Sequence, residues 1–364
     1  MIKQLKQFTI NLVAGANVAT IAVMLVTGYA DRISPVDHPA MSVMGMAFPL
    51  LLLVNMAFLF FWLMFKWQRA WLPVAGYLLA YQPITTYMPL NPPQDVPEGS
   101  IKIITYNVAT YGGNYKYKDA FERILEYFKQ QQADIVCVQE DVDTWRKYVF
   151  DRYRDIYAYN DTTEFCNSKS SNNGVGIHTR FPILRKERIN YKSNSNGSVA
   201  YYLKVGHDTL LVVNNHLESS HLSQDDRSRY KDMLRGEMQT DTARAESKLI
   251  IDKLGEAAAK RAAGVEAIKR YLADHSQYPA IVCGDFNDTP ISYTRHTLAQ
   301  GLTDCFVASG RGIGLSYNQK GFWVRIDHIL CSSDFTPYNC EVDSKIDFSD
   351  HCPVVCWLKM RDKE

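Results

Sequence analysis

Apolar and polar positions divide this chain into two textures. Residues 8–30 and 41–65 are uncharged stretches of 23 and 25 residues, each long enough to cross a hydrocarbon layer of roughly 30 Å. Residues 71–90 are also uncharged, and despite Gln82, Pro83 and two threonines they predict a third span. A cleaved signal peptide would need a shorter apolar run and a small-residue cleavage site. Residues 26–30 offer no convincing one, and two further apolar stretches follow at once. NPPQDVPEGS, residues 91–100, reads as a proline-rich tether. The expected organisation is thus a membrane anchor over 1–90, a linker over 91–100 and a globular domain over 101–364.

Within the globular part the periods change. IKIITYN predicts a strand ending at Asn107, residues 117–131 a helix with Ala120, Ile124, Leu125 and Phe128 on one face, and ADIVCVQE a strand ending at Glu140. GVGIH at 174–178 is another strand, and 199–205 with 209–214 form a hairpin turning at 206–208. Residues 221–275 are charged and helical in character. Leu254, Ala258, Ala262, Val265, Ile268 and Leu272 make one apolar stripe that would cover a sheet face. IVCGDFNDTP at 281–290 is a short apolar strand that stops at Gly284, so Asp285 and Asn287 emerge on one side of its end. RIDHILC and HCPVVCW close the domain as strands. Strands and helices mixed in this way imply a layered α/β arrangement.

Charge narrows the picture. Of 40 basic and 39 acidic residues the first hundred hold five and four, which leaves 35 of each beyond residue 100. A balanced domain has no general field to draw in a polyanion, which argues against nonspecific DNA cutting. Lys3 and Lys6 precede the first apolar stretch, and Lys66 and Arg69 follow the second, whereas the loop between those stretches offers Arg32 against Asp31 and Asp37. By the positive-inside rule the amino terminus is cytoplasmic, and with three spans the globular domain lies on the extracytoplasmic side. With two, it would be cytoplasmic.

The eight cysteines do not decide the compartment. Cys137, Cys283, Cys331 and Cys356 lie in or beside apolar runs and suit a core, whereas Cys166, Cys305 and Cys340 have loop-like surroundings and could pair. No CxxC zinc pattern occurs.

The polar residues at strand ends suggest chemistry. Asn107, Glu140, His216 and Asp285 each follow an apolar run, while Asp327 and the pair Asp350 and His351 precede one. In a sheet with antiparallel members such positions meet at one rim. Singly each has an ordinary reading: Asn107 as a turn cap, Glu140 as a helix-start acid, and the histidines as hydrogen-bonded structural groups. Asp327, inside an apolar strand, must find a partner.

TYN at 105–107, QE at 139–140, NNHLE at 214–218, GDFN at 284–287, RIDHIL at 325–330 and SDHCPV at 349–354 resemble, in order, the motifs of the endonuclease/exonuclease/phosphatase superfamily. The resemblance covers about residues 101–358. It implies an α/β fold, a four-layer α/β sandwich of two packed mixed β-sheets flanked by helices. It implies Glu140 as a ligand of Mg²⁺, with Mn²⁺ as a substitute, and Asn107 and Asp350 at the metal and phosphate. Asp285 is similar to the residue that aligns or deprotonates water, and Asn287 to its orienting neighbour. His351 with Asp327, and His216, resemble the phosphate-side histidines. One departure is the long charged stretch over 219–261, which begins beside His216 and could shape or cover the pocket.

In-line hydrolysis of a phosphate ester needs charge neutralisation, a base and donors, all of which this set contains. The expectation is therefore a membrane-anchored, metal-dependent phosphoesterase, acting on lipid head groups or nucleic acid. No protein partner is inferable. The alternative is a non-catalytic, membrane-tethered binding or scaffold protein on the same fold.

Overall fold

The computed structural model describes residues 2–112, 117–141, 151–165, 173–193, 196–220, 222–223, 225–226, 228–229, 240–319 and 322–361. Cys166 lies outside the described residues.

Two six-stranded mixed sheets stack face to face. The first is built from β1 (Ile101–Asn107), β2 (Ile135–Gln139), β3 (Tyr159–Glu164), β4 (Gly174–Thr179), β13 (Phe335–Val342) and β14 (Val354–Met360), in the order β13-β14-β1-β2-β4-β3. The second is built from β5 (Ile183–Ile189), β6 (Gly197–Val205), β7 (Asp208–His216), β8 (Ala280–Asp285), β9 (Thr303–Asp304) and β12 (Asp327–Cys331), in the order β5-β6-β7-β8-β12-β9. A small ribbon pairs β10 (Tyr317–Gln319) with β11 (Phe322–Val324). Each large sheet has one parallel pairing at its centre, β1 with β2 and β7 with β8, and antiparallel neighbours on either side. The parallel pairs send the carboxyl ends of β1, β2, β7 and β8 to one rim. Antiparallel β12 brings its first residue to the same rim, because Asp327 is registered against Asp285.

Alternation of side chains every second residue accounts for the layers. Ile103, Ile135, Cys137 and Ile177 from one sheet meet Tyr201, Val212, Ile281 and Ile329 from the other in the inter-sheet core. The opposite face of the first sheet, with Ile104, Tyr106 and Val136, is covered by the helix Ala120–Gln131 through Ile124, Leu125 and Phe128. The opposite face of the second, with Tyr202, Leu211 and Val282, is covered by the helix Thr240–Asp274 through Val265 and Ile268. Helix, sheet, sheet and helix make the four-layer α/β sandwich. Cys305 and Cys340 depart from the expectation, since both are buried free thiols, as are Cys137, Cys283, Cys331 and Cys356. Cys305 starts the short helix Cys305–Ser309 and Cys340 lies in β13, so both fill core positions rather than loops.

The amino-terminal residues form a helical bundle. Among the described residues two helical segments, within 3–32 and 39–65, are long and apolar enough to cross a membrane. Leu5, Phe8, Leu12, Leu53, Phe60 and Leu63 are each more than half exposed on them. The third expected span, residues 71–90, is not one helix: Trp71–Leu79 and Tyr81–Tyr87 are separated at Ala80, whose φ of −90° and ψ of 13° leave the helical region. Pro83 explains the break, because it has no N–H for the carbonyl of Leu79. That carbonyl instead accepts from the Tyr29 hydroxyl at 2.9 Å. The two short helices nevertheless run back along the bundle. Arg69 donates to Ile10 O and Asn11 Oδ1 at one end, whereas at the other the Tyr87 ring meets the Phe48 ring at 6.4 Å. Buried amides tie the helices together, since Asn17 Nδ2 donates to Asn55 Oδ1 and Asn55 Nδ2 to Pro73 O.

Bundle and sandwich are in firm contact. The buried guanidinium of Arg325 donates to Thr86 O at 2.7 Å and Tyr87 O at 3.3 Å, closing the carboxyl end of Tyr81–Tyr87 as a basic group there should. His296 Nδ1 lies 3.3 Å from Asp31 Oδ2.

Candidate active site

Beneath the rim, two polar struts cross the inter-sheet core. Gln139 Nε2 donates to Asn214 Oδ1 at 2.7 Å, and Asn214 Nδ2 donates to Val138 O and Gly176 O at 3.1 and 2.8 Å. Fully partnered buried amides specify one registration of the two sheets. Glu140 follows Gln139 directly, and His216 lies two residues beyond Asn214, so the struts fix where both side chains emerge.

Asp285 is at the centre. Gly284, the last residue of β8 before Asp285, has φ of +131°, a conformation that side chains resist, and a Cβ there would lie 2.0 Å from Asn215 O. Gly284→Ala is therefore expected to cost about 3 kcal/mol or more, read as a fall in denaturation midpoint. The Asp285 carboxylate accepts from Asn287 N at 2.8 Å, Asn107 Nδ2 at 3.1 Å and Asn287 Nδ2 at 3.3 Å. Asn287 adopts φ of +53° to make these bonds, and its amide also donates to Leu217 O at 2.9 Å. Burial raises the Asp285 carboxyl to about 7 against the opposing charge of His351.

The two histidines face Asp285 from opposite neighbours and differ in charge. His351 Nδ1 donates to Asp327 Oδ2 at 2.8 Å, and its Nε2 lies 3.8 Å from Asp285 Oδ2. Burial disfavours its charge, but Asp327 and Asp285 outweigh that and raise it to about 10, so it is an imidazolium at neutral pH. His216 Nδ1 contacts Asn173 Oδ1 at 3.1 Å, and its Nε2 lies 3.6 Å from Asp285 Oδ2. A chain of amides fixes its tautomer: Asn196 donates to Leu217 O, Asn173 donates to Asn196 Oδ1, and Asn173 Oδ1 is left to accept from His216. Burial, reinforced by the charge of His351, lowers His216 to about 3. Its Nε2 is then an acceptor, and becomes a donor only on protonation.

Glu140, immediately beyond β2, has φ of +54° and a side chain one-third exposed, with Oε1 3.2 Å from Asn107 Nδ2. Burial raises its carboxyl, partly offset by His351. Asp350 accepts from Ser349 Oγ at 3.3 Å and Gln319 Nε2 at 3.4 Å. Glu140, His216, Asp285, Asn287, Asp350 and His351 line one cavity of about 320 Å³. Asn107 is buried beneath it. Its Oδ1 accepts from Ala109 N, so the side chain presents its NH₂ to both carboxylates and orients them rather than offering an oxygen.

All eight residues expected at the site are thus brought together. Ligand atoms of Asp285, Asp327 and His351 lie within 4.8 Å of one another, close enough for a metal. The sequence reading missed Asn173, Asn196 and Arg261. Arg261 comes from the Thr240–Asp274 helix, is buried, and donates to Asp288 Oδ2 at 3.2 Å and Glu218 O at 3.1 Å. The only signal was its place in the charged insertion beside His216.

Buried neutral histidines make a pH prediction. Burial lowers His178 to about 3, His216 to about 3 and His328 to about 4. Below about pH 6.5 the unfolded chain protonates all three and the folded chain does not, so their contribution is full above that pH and lost as pH falls. Asp285 and Glu140, whose carboxyls burial raises, work the other way over this range, and so does His351 to a smaller extent because the unfolded imidazole gains its proton near pH 6.5; the three buried neutral histidines outweigh them. Melting temperature should therefore fall between pH 7 and pH 5, as scanning fluorimetry would show.

Residues 104–351 match the profile of the Endonuclease/Exonuclease/phosphatase family, and residues 10–87 match a domain of unknown function, DUF8431. No curated protein matches. Among solved structures, D. rerio TDP2 complexed with a single-strand DNA product is 15% identical, covers 72% of this chain and 100% of its own, and has a TM-score of 0.51. A family protein from Bacteroides thetaiotaomicron is 15% identical, with coverage of 74% and 100% and a TM-score of 0.51. The human Nocturnin catalytic domain with bound sulfate is 15% identical, with coverage of 73% and 97% and a TM-score of 0.50. At such identities the likeness is one of fold. The profile match spans more than half of the chain, and by it the chain belongs to the Endonuclease/Exonuclease/phosphatase family.

Proposed function

We propose that this protein is a membrane-held, metal-dependent hydrolase of phosphate esters. The observation that carries the reading is the Asp285 carboxylate, gripped by Asn107 and Asn287 and flanked by the His351–Asp327 pair, in the cavity that Glu140 and Asp350 also line. A carboxyl raised to about 7 is balanced between its two forms at neutral pH, as a general base for water should be. Asn287 and Asn107 hold it against rotation. The His351 imidazolium, kept charged by Asp327, supplies a donor for the negative oxygens of the substrate. Glu140 and Asp350 would hold Mg²⁺ or Mn²⁺, which supplies charge neutralisation at the phosphate when bound. His216, with Nδ1 committed to Asn173, offers Nε2 to the cavity and gains a proton only when an anion favours it.

Residues 1–90 are read as the anchor, 91–100 as the linker and 101–364 as the catalytic domain. The sandwich packs against the 29–47 loop and Tyr87, at the bundle end opposite Arg69, Ile10 and Asn11. Lys3, Lys6, Lys66 and Arg69 belong to that far end, which supports an extracytoplasmic catalytic domain. The full-length protein in detergent micelles should hydrolyse bis(p-nitrophenyl) phosphate or p-nitrophenyl phosphate with Mg²⁺ and lose that activity in EDTA. Metal binding without turnover on any phosphate ester would favour the scaffold alternative instead.

A further inference from the structure

The cavity has a wall that does not belong to the sandwich. Ser42, Val43 and Met46, from the short helical turns (Pro39–Ser42 and Met44–Ala47) that lead into the long apolar helix Phe48–Phe65, line it together with the catalytic residues. Met46 lies two residues before Phe48, where that helix starts. The segment is seated closely. A Cβ on Gly45 would lie 2.2 Å from Ile291 O, and one on Gly255 of the Thr240–Asp274 helix would lie 2.8 Å from the backbone of Pro39. Close backbone approach at two separate glycines means that the segment is docked on the sandwich.

Ile291 makes the connection continuous. It lies six residues beyond Asp285, lines the cavity, and is buried in one apolar cluster with Met24, Phe48 and Ala80 of the bundle. Val43, Met46, Leu222 and Leu254 add apolar lining, each half-buried. The same cavity is lined by Glu140, His216, Asp285, Asp350 and His351. At about 320 Å³ the cavity accommodates a phosphate and a small substituent, and anything larger must continue beyond it. The lining is poor in lysine and arginine. Among the described lining residues Arg261 alone is of either type, and it is engaged by Asp288 at 3.2 Å. Tracking a polynucleotide backbone needs several such contacts.

Resting on the hydrolase reading above, we propose that the substrate is an amphiphile, a phosphate ester on a hydrocarbon chain drawn from the bilayer. The ester lies against Glu140, Asp285 and His351, and the chain runs along Val43, Met46 and Ile291 toward the membrane-embedded helices. The anchor thus acts as a substrate-binding wall as well as a tether.

The test uses the full-length protein in lipid nanodiscs or mixed micelles with Mg²⁺. Its probes are long-chain phosphatidic acid and phosphatidylglycerol, their water-soluble short-chain forms, a single-stranded oligonucleotide and bis(p-nitrophenyl) phosphate. Phosphatidic acid and phosphatidylglycerol separate a lipid monoester from a lipid diester. The long-chain form of one of them should exceed its short-chain form in kcat/KM by at least about tenfold, since each buried methylene adds to binding. The paired changes Val43→Ser and Met46→Gln should lower that ratio several-fold. In wild-type protein, where no variant has to fold, a long-chain alkyl phosphonate should inhibit small-diester hydrolysis far more strongly than methylphosphonate. Equal kcat/KM for long and short chains, equal inhibition by the two phosphonates, or preference for the oligonucleotide would overturn the proposal while leaving the hydrolase reading standing. Absence of cleavage on every probe would remove the hydrolase reading and this inference with it.

Discussion

Asp285→Asn is expected to lower kcat/KM for phosphate-ester hydrolysis by about 10²–10⁴-fold, the range associated with a positioned general base. The substitution keeps the shape and the 2.8 Å contact from Asn287 N, but it replaces with a donor the second oxygen, which accepts from Asn107 Nδ2 at 3.1 Å and Asn287 Nδ2 at 3.3 Å. It removes the proton acceptor and the charge that His351 Nε2 faces at 3.8 Å. Folding should survive at a modest cost: relief of a buried carboxyl raised to about 7 offsets part of the loss of the two amide contacts, about 1–3 kcal/mol for donors left unpaired. A simultaneous fall in melting temperature of many degrees would indicate a structural role. In the wild type the rate should decline as pH falls through the Asp285 titration, at or below about pH 7 because a bound cation favours the carboxylate.

Glu140→Gln is expected to weaken Mg²⁺ binding by more than about tenfold and to lower activity at a fixed metal concentration. Excess metal should restore part of the rate, which separates this substitution from Asp285→Asn. Calorimetric titration of the variant with Mg²⁺ reads the first effect directly, and the dependence of rate on metal concentration reads the second. Glu140 is held at φ of +54° with its Oε1 on Asn107 Nδ2, so Gln retains the position while losing the charge.

Strand ends were legible because each is a short apolar run halted by a polar residue, and the alternating period of β6 and β7 carries their hairpin directly. The rim itself was legible as soon as some of those residues followed strands and others preceded them. Asp327 shows the logic best, since a carboxylate inside an apolar strand required a partner, and His351 provides it at 2.8 Å.

What was not legible depends on long separations or on backbone detail. Residues 71–90 have the composition of a span, yet Pro83 and the non-helical Ala80 divide them, an effect that hydropathy does not register. The orientation of the Asn107 amide is decided by Ala109 N, and the tautomer of His216 by a relay ending at Leu217 O, neither of which is a spacing in the sequence. Arg325 reaches Thr86 and Tyr87 across more than 200 residues, and Ile291 enters the bundle core across a similar gap. Contacts of that kind join the amino-terminal bundle to the candidate active site, where composition had suggested only a tether.

The most direct measurement is the hydrolysis rate of bis(p-nitrophenyl) phosphate by the full-length protein, with Mg²⁺ and after EDTA, in wild type beside Asp285→Asn. A metal-dependent rate that the variant loses while keeping its fold is the expected result. Hydrolysis indifferent to EDTA, or equal in a folded variant, would contradict the assignment of this rim as the active site.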